Sequence, residues 1–185
     1  PQGNLLGLNL EGVWTPEQVL QNSQHVYLGG NDGPFSYDNN FDTAEAKKRS
    51  VYLTNTPGGG TETVAEHVIA FVLALSRRLV EGDVFVKKGK YKGWDPMLLP
   101  GIDLKGKTLG VIGLVRIGEM VARRAKGFEM KVLYNKRTPD PKAEEELGVV
   151  FREVAQLLAE SDFVSLHAPL TPETHHLMNE ARFSQ

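Results

Sequence analysis

The residues best placed to do chemistry lie in the stretch TLGVIGLVRIGEMVARRAKGFEM, residues 108–130. It holds an apolar run, a glycine turn and then a helical pattern, the order in which a dinucleotide-binding unit presents backbone amides to a pyrophosphate. Gly113 permits a tight turn, and Gly118 permits close packing of a helix on a strand. The fingerprint G-x-G-x-x-G wants a third glycine between them, and Val115 stands there instead. Its Cβ and two methyls fill the approach of the pyrophosphate and disfavour a positive φ. Accommodating them costs about 1–3 kcal/mol, or roughly 5- to 150-fold in affinity, which weakens a site without abolishing it.

About twenty residues beyond the glycines, such a unit places an acid that accepts from the ribose 2′-hydroxyl. Here the positions read Asn135-Lys136-Arg137-Thr138, with no carboxylate before Asp140. Two cations and a hydroxyl suit a 2′-phosphate better than a free ribose, so NADP is expected ahead of NAD; a solvated basic turn is the alternative. His167 ends a β-rich run at the edge of the sheet where ligands bind, with cofactor contact and packing both open. His67 lies in a helical pattern and reads as an interface or core residue. His175 and His176 are adjacent, so on a helix they diverge by about 100° and cannot readily share a ligand. No metal site is expected.

One literal match is set aside. Residues 101–108, GIDLKGKT, satisfy the phosphate-loop pattern G-x-x-x-x-G-K-[ST]. That loop needs a strand before it and a helix after it, whereas here prolines precede it and a β-rich run follows.

These residues need an alternating frame, and the chain supplies one. Strands are expected at KTLGVIG, MKVLYN, VVF and DFVSLHAP, with helices at 117–126, KAEEELG and REVAQLLAE between them, and TPETHHLMNEARFSQ opening another. Apolar strands separated by amphipathic helices imply a parallel sheet covered on both faces. Upstream, Val64, Val68, Phe71, Val72, Leu75 and Leu79 recur at helical spacing from Thr61 to about Lys88, with Thr63 and Glu66 as a capping box. An irregular arm, residues 87–101, follows. In the first fifty residues, NLLGLNLEG and HVYLGG read as strands, and TPEQVLQNSQ and TAEAKKRS as short helices. The segment NDGPFSYDNNFD reads as a loop and VYLTNT as a strand.

Composition narrows the function. At 185 residues, 41% hydrophobic and 24% charged, with a net charge of −2, the chain reads as globular and gives no support for a nucleic-acid or membrane partner. The absence of cysteine excludes a disulfide scaffold and a thiolate nucleophile, and a cytoplasmic setting is expected.

Three segments together resemble one family. VYLTNTPGGGTETVAEHVIAFVLALSRRLVEGD, WDPMLLPGIDLKGKTLGVIGL and SDFVSLHAPLTPETHHLMN are similar to D-isomer-specific 2-hydroxyacid dehydrogenases, nearest the glyoxylate/hydroxypyruvate reductase branch. The resemblance implies an α/β fold. It comprises a partial doubly wound, Rossmann-like parallel sheet over residues 57–185, and a remnant of a flavodoxin-like substrate domain over 1–56. It implies a homodimer made by the long helix and arm, about residues 61–100. It places Arg116 and Ile117 at the pyrophosphate, within the turn already read from Gly113, Val115 and Gly118, and Lys136, Arg137 and Thr138 at the adenosine ribose. His167, Ala168, Pro169 and Thr174 line the rest of the cofactor cleft, and Gly30, Asn31, Asp32 and Gly33 meet the substrate carboxylate.

The implied reaction is NAD(P)H-dependent reduction of a small 2-keto acid to the D-2-hydroxy acid. The family's catalytic arginine, glutamate and histidine match no position here, so no catalytic residue is assigned and the 185 residues alone are expected to be inactive. Val115 and a loop lacking the usual glycine before Tyr37 depart from the family pattern. They leave a second reading, a non-catalytic nucleotide-binding or dimerisation module.

Overall fold

The strongest helical pattern in the chain, Thr61 onward, folds as two helices rather than one, and most of its apolar stripe faces outward. A computed structural model describes residues 48 and 60–184, with the backbone alone at 26–28 and 52–54. The chain divides into two units, residues 1–59 and 60–185. In the first, β1 (Val26–Leu28) pairs in parallel with β2 (Tyr52–Thr54), as HVYLGG and VYLTNT predict. Lys48 is helical. The other expectations before Gly60, including the loop with Gly30, Asn31, Asp32 and Gly33, lie outside the described residues.

In the second unit α1 spans Thr61–Ser76 and α2 spans Leu79–Lys87. Arg78 takes a left-handed conformation, φ 53°, between them. The cause is tertiary. The returning arm brings Ile102 N–H to the Ser76 carbonyl at 2.8 Å, and a Cβ on Gly101 would stand 2.5 Å from that same oxygen. The helix therefore ends at Ser76 although no glycine or proline marks the place. Ala65, Ile69, Val72 and Ser76 form its buried face; of the expected stripe, Val72 is buried and Val68 packs against the core, while Val64, Phe71, Leu75 and Leu79 are exposed. The expected capping box is also absent. Gly60, not a side chain, precedes Thr61, and Glu66 pairs with Arg124 instead.

The remaining elements follow the sequence closely. They are β3 (Thr108–Ile112), α3 (Arg116–Lys126), β4 (Lys131–Asn135), α4 (Pro141–Leu147), β5 (Val150–Phe151), α5 (Val154–Glu160), β6 (Phe163–Leu166) and a single turn α6 (Glu180–Phe183). The four strands are parallel in the order β5-β4-β3-β6. Ile112 lies level with both Asn135 and Leu166, so three strands end together.

Alternate residues of β3 feed two cores. Leu109 and Val111 join Val121, Ala125 and Tyr134 on one face, where α1 packs against α3. Ile112 meets Leu133 and Leu157 on the other. Arg124 on α3 ties α1 down by pairing with Glu62 and, at 3.2 Å, with Glu66. At the opposite end of the sheet Asp162 accepts from Lys107 Nζ and from Thr108 N–H, each at 2.9 Å. Lys107-Thr108 thus enters a strand, which disposes of the phosphate-loop pattern at residues 101–108.

Candidate functional site

The strand order reverses between β3 and β6, because the chain leaves β3 toward β4 and β5 and returns on β3's other side. In an open parallel sheet this switch opens a crevice at the strands' carboxyl ends, where ligands bind. The candidate residues from all three segments converge there.

Gly113 leaves β3 at φ +97°, a conformation open to glycine and costly for other residues. A Cβ there would lie 2.7 Å from Ala168 N and from the His167 carbonyl carbon. The turn after β3 is thereby pressed against the backbone after β6, and Gly113 N–H also donates to Asn135 O at 2.9 Å. His167 N–H donates to Ile112 O at 2.7 Å. A Cβ on Gly118 would fall on the Gly113 carbonyl oxygen, so helix α3 sits directly upon the turn.

Val115 corrects part of the sequence argument. It adopts φ −122°, ψ −167°, an extended conformation that suits a β-branched residue, so no positive φ is demanded of it. It occupies the N-cap of α3, where its N–H is taken by Gly113 O at 2.9 Å and its side chain is 47% exposed. No side chain caps this helix end. The amides of Ile117 and Gly118 lie in the first turn, ahead of the Glu119 N–H to Val115 O bond that begins the helical ladder. Glu119 near the start and Arg123, Arg124 and Lys126 near the end accord with the helix dipole, whose positive end faces the crevice. Only the bulk of the valine side chain at the mouth remains as an obstacle. Arg116 is exposed beside it.

After β4, Asn135 Nδ2 donates to Arg152 O at 2.8 Å and fixes the start of the basic turn. Lys136 is half-buried and bridged to Asp140 at 2.6 Å, while Arg137 and Thr138 are exposed. The Lys136 ammonium, with the Ala143 amide, holds the Asp140 carboxyl below its ordinary range. Arg137 is near enough to Glu173 to help the Thr171 hydroxyl and a backbone amide lower that carboxyl too. Each cation of the turn therefore has an acidic neighbour, which the sequence spacing did not disclose.

After β6, His167 Nε2 lies 2.8 Å from Ser165 Oγ, and burial pushes the imidazole below its ordinary pKa, leaving it neutral near pH 7. Ser165 was missed by sequence reasoning. Its only signal is its spacing, two residues before His167 along the strand. Ala168 packs into the Ile112 core. Thr174 Oγ1 donates to Pro169 O at 2.5 Å and accepts from Thr171 N–H at 2.7 Å, which ties the loop into a turn.

His175 and His176, expected on a helix, lie instead in a turn. Residue 176 has φ 52°, and the two rings stack with centroids 3.8 Å apart. Among the described residues no group of three or more His, Asp or Glu is arranged to hold a metal ion, and no helix is long and apolar enough to cross a membrane. His67 is exposed on α1 and packs edge-on against Phe71.

A glycine cradle that a Cβ would fill, an uncapped helix N-terminus and a neutral histidine together fit a dinucleotide. Comparison with known proteins agrees. Residues 69–185 match the model of the D-isomer specific 2-hydroxyacid dehydrogenase NAD binding domain. A glyoxylate reductase of Thermococcus litoralis is 51% identical over 148 residues, which cover 78% of this chain and 44% of the relative. One from Pyrococcus furiosus is 44% identical, over 90% of this chain and 50% of the relative. The structure of D-lactate dehydrogenase from Aquifex aeolicus, complexed with NAD and lactic acid, superposes with a TM-score of 0.69 at 36% identity, over 92% of this chain and 49% of that one. The chain spans about half the length of the curated relatives it matches.

Proposed function

Because the chain belongs to the D-isomer-specific 2-hydroxyacid dehydrogenase family, through that family's NAD-binding domain, we propose that it forms the dinucleotide-binding part of an enzyme reducing a small 2-keto acid. The substrate is of the glyoxylate or hydroxypyruvate type, and the product is the D-2-hydroxy acid. The names of the relatives support this substrate class. The observation that carries the reading is Gly113, wedged at φ +97° against the His167–Ala168 backbone at the point where the strand order reverses.

In this reading the first-turn amides of α3, with the positive end of the helix dipole, receive the pyrophosphate beside Val115, Arg116 and Ile117. Lys136, Arg137 and Thr138 meet the adenosine ribose, and NADP is preferred over NAD. His167 presents a neutral imidazole, fixed by Ser165, to the crevice with Ala168, Pro169 and Thr174. A bound nicotinamide supplies the hydride for the keto carbon. Gripping the substrate and moving its proton call for an arginine and a histidine, and in this reading no position of residues 1–185 matches the family's. Accordingly, the 185 residues alone give no NADPH oxidation with glyoxylate. Residues 1–56 belong to the substrate domain, with Gly30, Asn31, Asp32 and Gly33 at the carboxylate, and 57–185 to the nucleotide domain. The protein works in the cytoplasm as a homodimer through α1, α2 and the arm, where Phe71, Leu75, Val80 and Trp94 are exposed.

Titration with NADPH and with NADH, followed by cofactor fluorescence, tests the reading. Saturable binding with NADPH ahead supports it. Binding of neither dinucleotide would overturn it in favour of a dimerisation module that keeps only the scaffold, a reading favoured by the same exposed apolar face.

A further inference from the structure

The basic turn after β4 carries its own counterion, and that counterion is held in place from several sides. Asp140 Oδ2 stands 2.6 Å from Lys136 Nζ, with the two side chains 28% and 29% exposed. Its other oxygen accepts from Ala143 N–H at 3.2 Å as the N-cap of α4. Its own N–H donates to Tyr134 Oη at 2.7 Å, and that buried hydroxyl donates in turn to Glu144 Oε1 at 2.8 Å. Pro139 and Pro141 flank it and restrict the backbone on either side. Lys136 lies one residue beyond Asn135, whose carbonyl accepts from Gly113 N–H. The ion pair is therefore a built feature at the edge of the glycine turn.

We infer that Asp140 is a specificity-determining residue of the dinucleotide site. Its carboxylate competes for the Lys136 ammonium, lowers the affinity for a 2′-phosphate and so narrows the preference for NADPH over NADH. This rests on the nucleotide-site reading above.

A phosphate monoester carries about −1.5 to −2 charges at pH 7. To use Lys136 it must share the ammonium with Asp140 or displace the carboxylate, which its tethers keep close by. Either way two anions are brought together in a partly buried setting, where repulsion is screened less than in bulk water. An unphosphorylated ribose meets no such repulsion. Arg137 is exposed and has Glu173 rather than Asp140 as its acidic neighbour, so part of the phosphate attraction survives and the preference is narrowed, not reversed.

The test compares the protein with its Asp140→Asn and Asp140→Ser variants. Both replacements keep an oxygen acceptor for the α4 cap and leave the backbone bond to Tyr134, while removing the charge. Dissociation constants for NADPH and NADH are read by fluorescence titration, with melting temperature as the control on the fold. The expected result is that the NADPH:NADH affinity ratio rises about 3- to 30-fold in both variants, with NADH affinity changed by less than about twofold. An unchanged or reduced ratio in folded variants overturns the inference and leaves the nucleotide-site reading standing. Failure of both variants to fold would make Asp140 a structural cap and overturn it also. If the parent protein binds neither dinucleotide, both readings fall together.

Discussion

Replacing Gly113 by alanine puts the proposed cradle at direct risk, and the cost follows from two separate observations. The residue sits at φ +97°, where an L side chain loses roughly 1–2 kcal/mol to its own backbone. The new Cβ would also lie 2.7 Å from two backbone atoms of His167 and Ala168, and 2.9 Å from the His167 oxygen. Backbone cannot rotate away as a side-chain tip can, so the β6 turn must move, at about 1–3 kcal/mol by analogy with overpacked cores. Together these predict a loss of about 2–5 kcal/mol, and a melting temperature lower by roughly 4–20 °C for a chain of this length. Dinucleotide affinity should fall about tenfold or more, since the turn and the His167 loop part. Urea unfolding and NADPH titration measure the two effects. Gly82→Ala is the control, because its Cβ would find only Leu99 Cδ1 at an ordinary 3.8 Å inside helix α2. It should be neutral or stabilising by up to about 1 kcal/mol. A Gly113→Ala protein as stable as the parent, with unchanged affinity, would refute the argument that this turn is pinned by close approach.

Val115→Gly should strengthen NADPH binding by only about 3- to 10-fold in the same titration, toward the lower end of what overpacking alone would cost, since the valine backbone is extended and unstrained. His167 is held neutral by burial, so the unfolded chain takes up a proton that the folded one refuses. Stability should therefore decline as pH falls from about 6.5 toward the lowered folded value, and His167→Asn should flatten that part of a denaturation-versus-pH curve. Leu75→Asp, on the exposed face of α1 at 72% exposure, should convert the proposed homodimer to monomer in analytical ultracentrifugation while leaving the monomer's circular dichroism unchanged.

The β3–α3–β4 unit was legible because continuous apolar strands, buried on both faces, alternate there with a helix whose 3.6-residue period matches its buried face. Residues 132–134 and Val121, Ala122 and Ala125 are buried as their spacing requires. The pattern misled along α1 and at the start of α2, where Phe71 and Leu75 on the first and Leu79 on the second are apolar and exposed. Periodicity reports a face that avoids water, but not whether the same chain or another covers it. The break at Arg78 was invisible because its cause, the arm returning to Ser76, lies about 25 residues away in sequence. In the site, the glycines and the basic turn could be read from residue types. The Asp140 counterion and the Ser165–His167 contact could not, since each depends on which rotamer the fold selects.

The central place of β3 also sets a timetable. Its partner on one side, β4, follows within a few tens of residues, but the contact that closes its other side, Thr108 N–H to the Asp162 carboxylate, joins positions 54 apart. At synthesis rates of about 5–20 residues per second, that edge of β3 waits roughly 3–11 s on the ribosome with its amides unpaired. The edge in question is the apolar run TLGVI, and the residue just ahead of it is Lys107. A charge at that position discourages strand addition by another nascent chain until Asp162 arrives to neutralise it. In the folded sheet the Lys107–Asp162 pair, with the Asp162–Thr108 bond, closes that same amino end of β3.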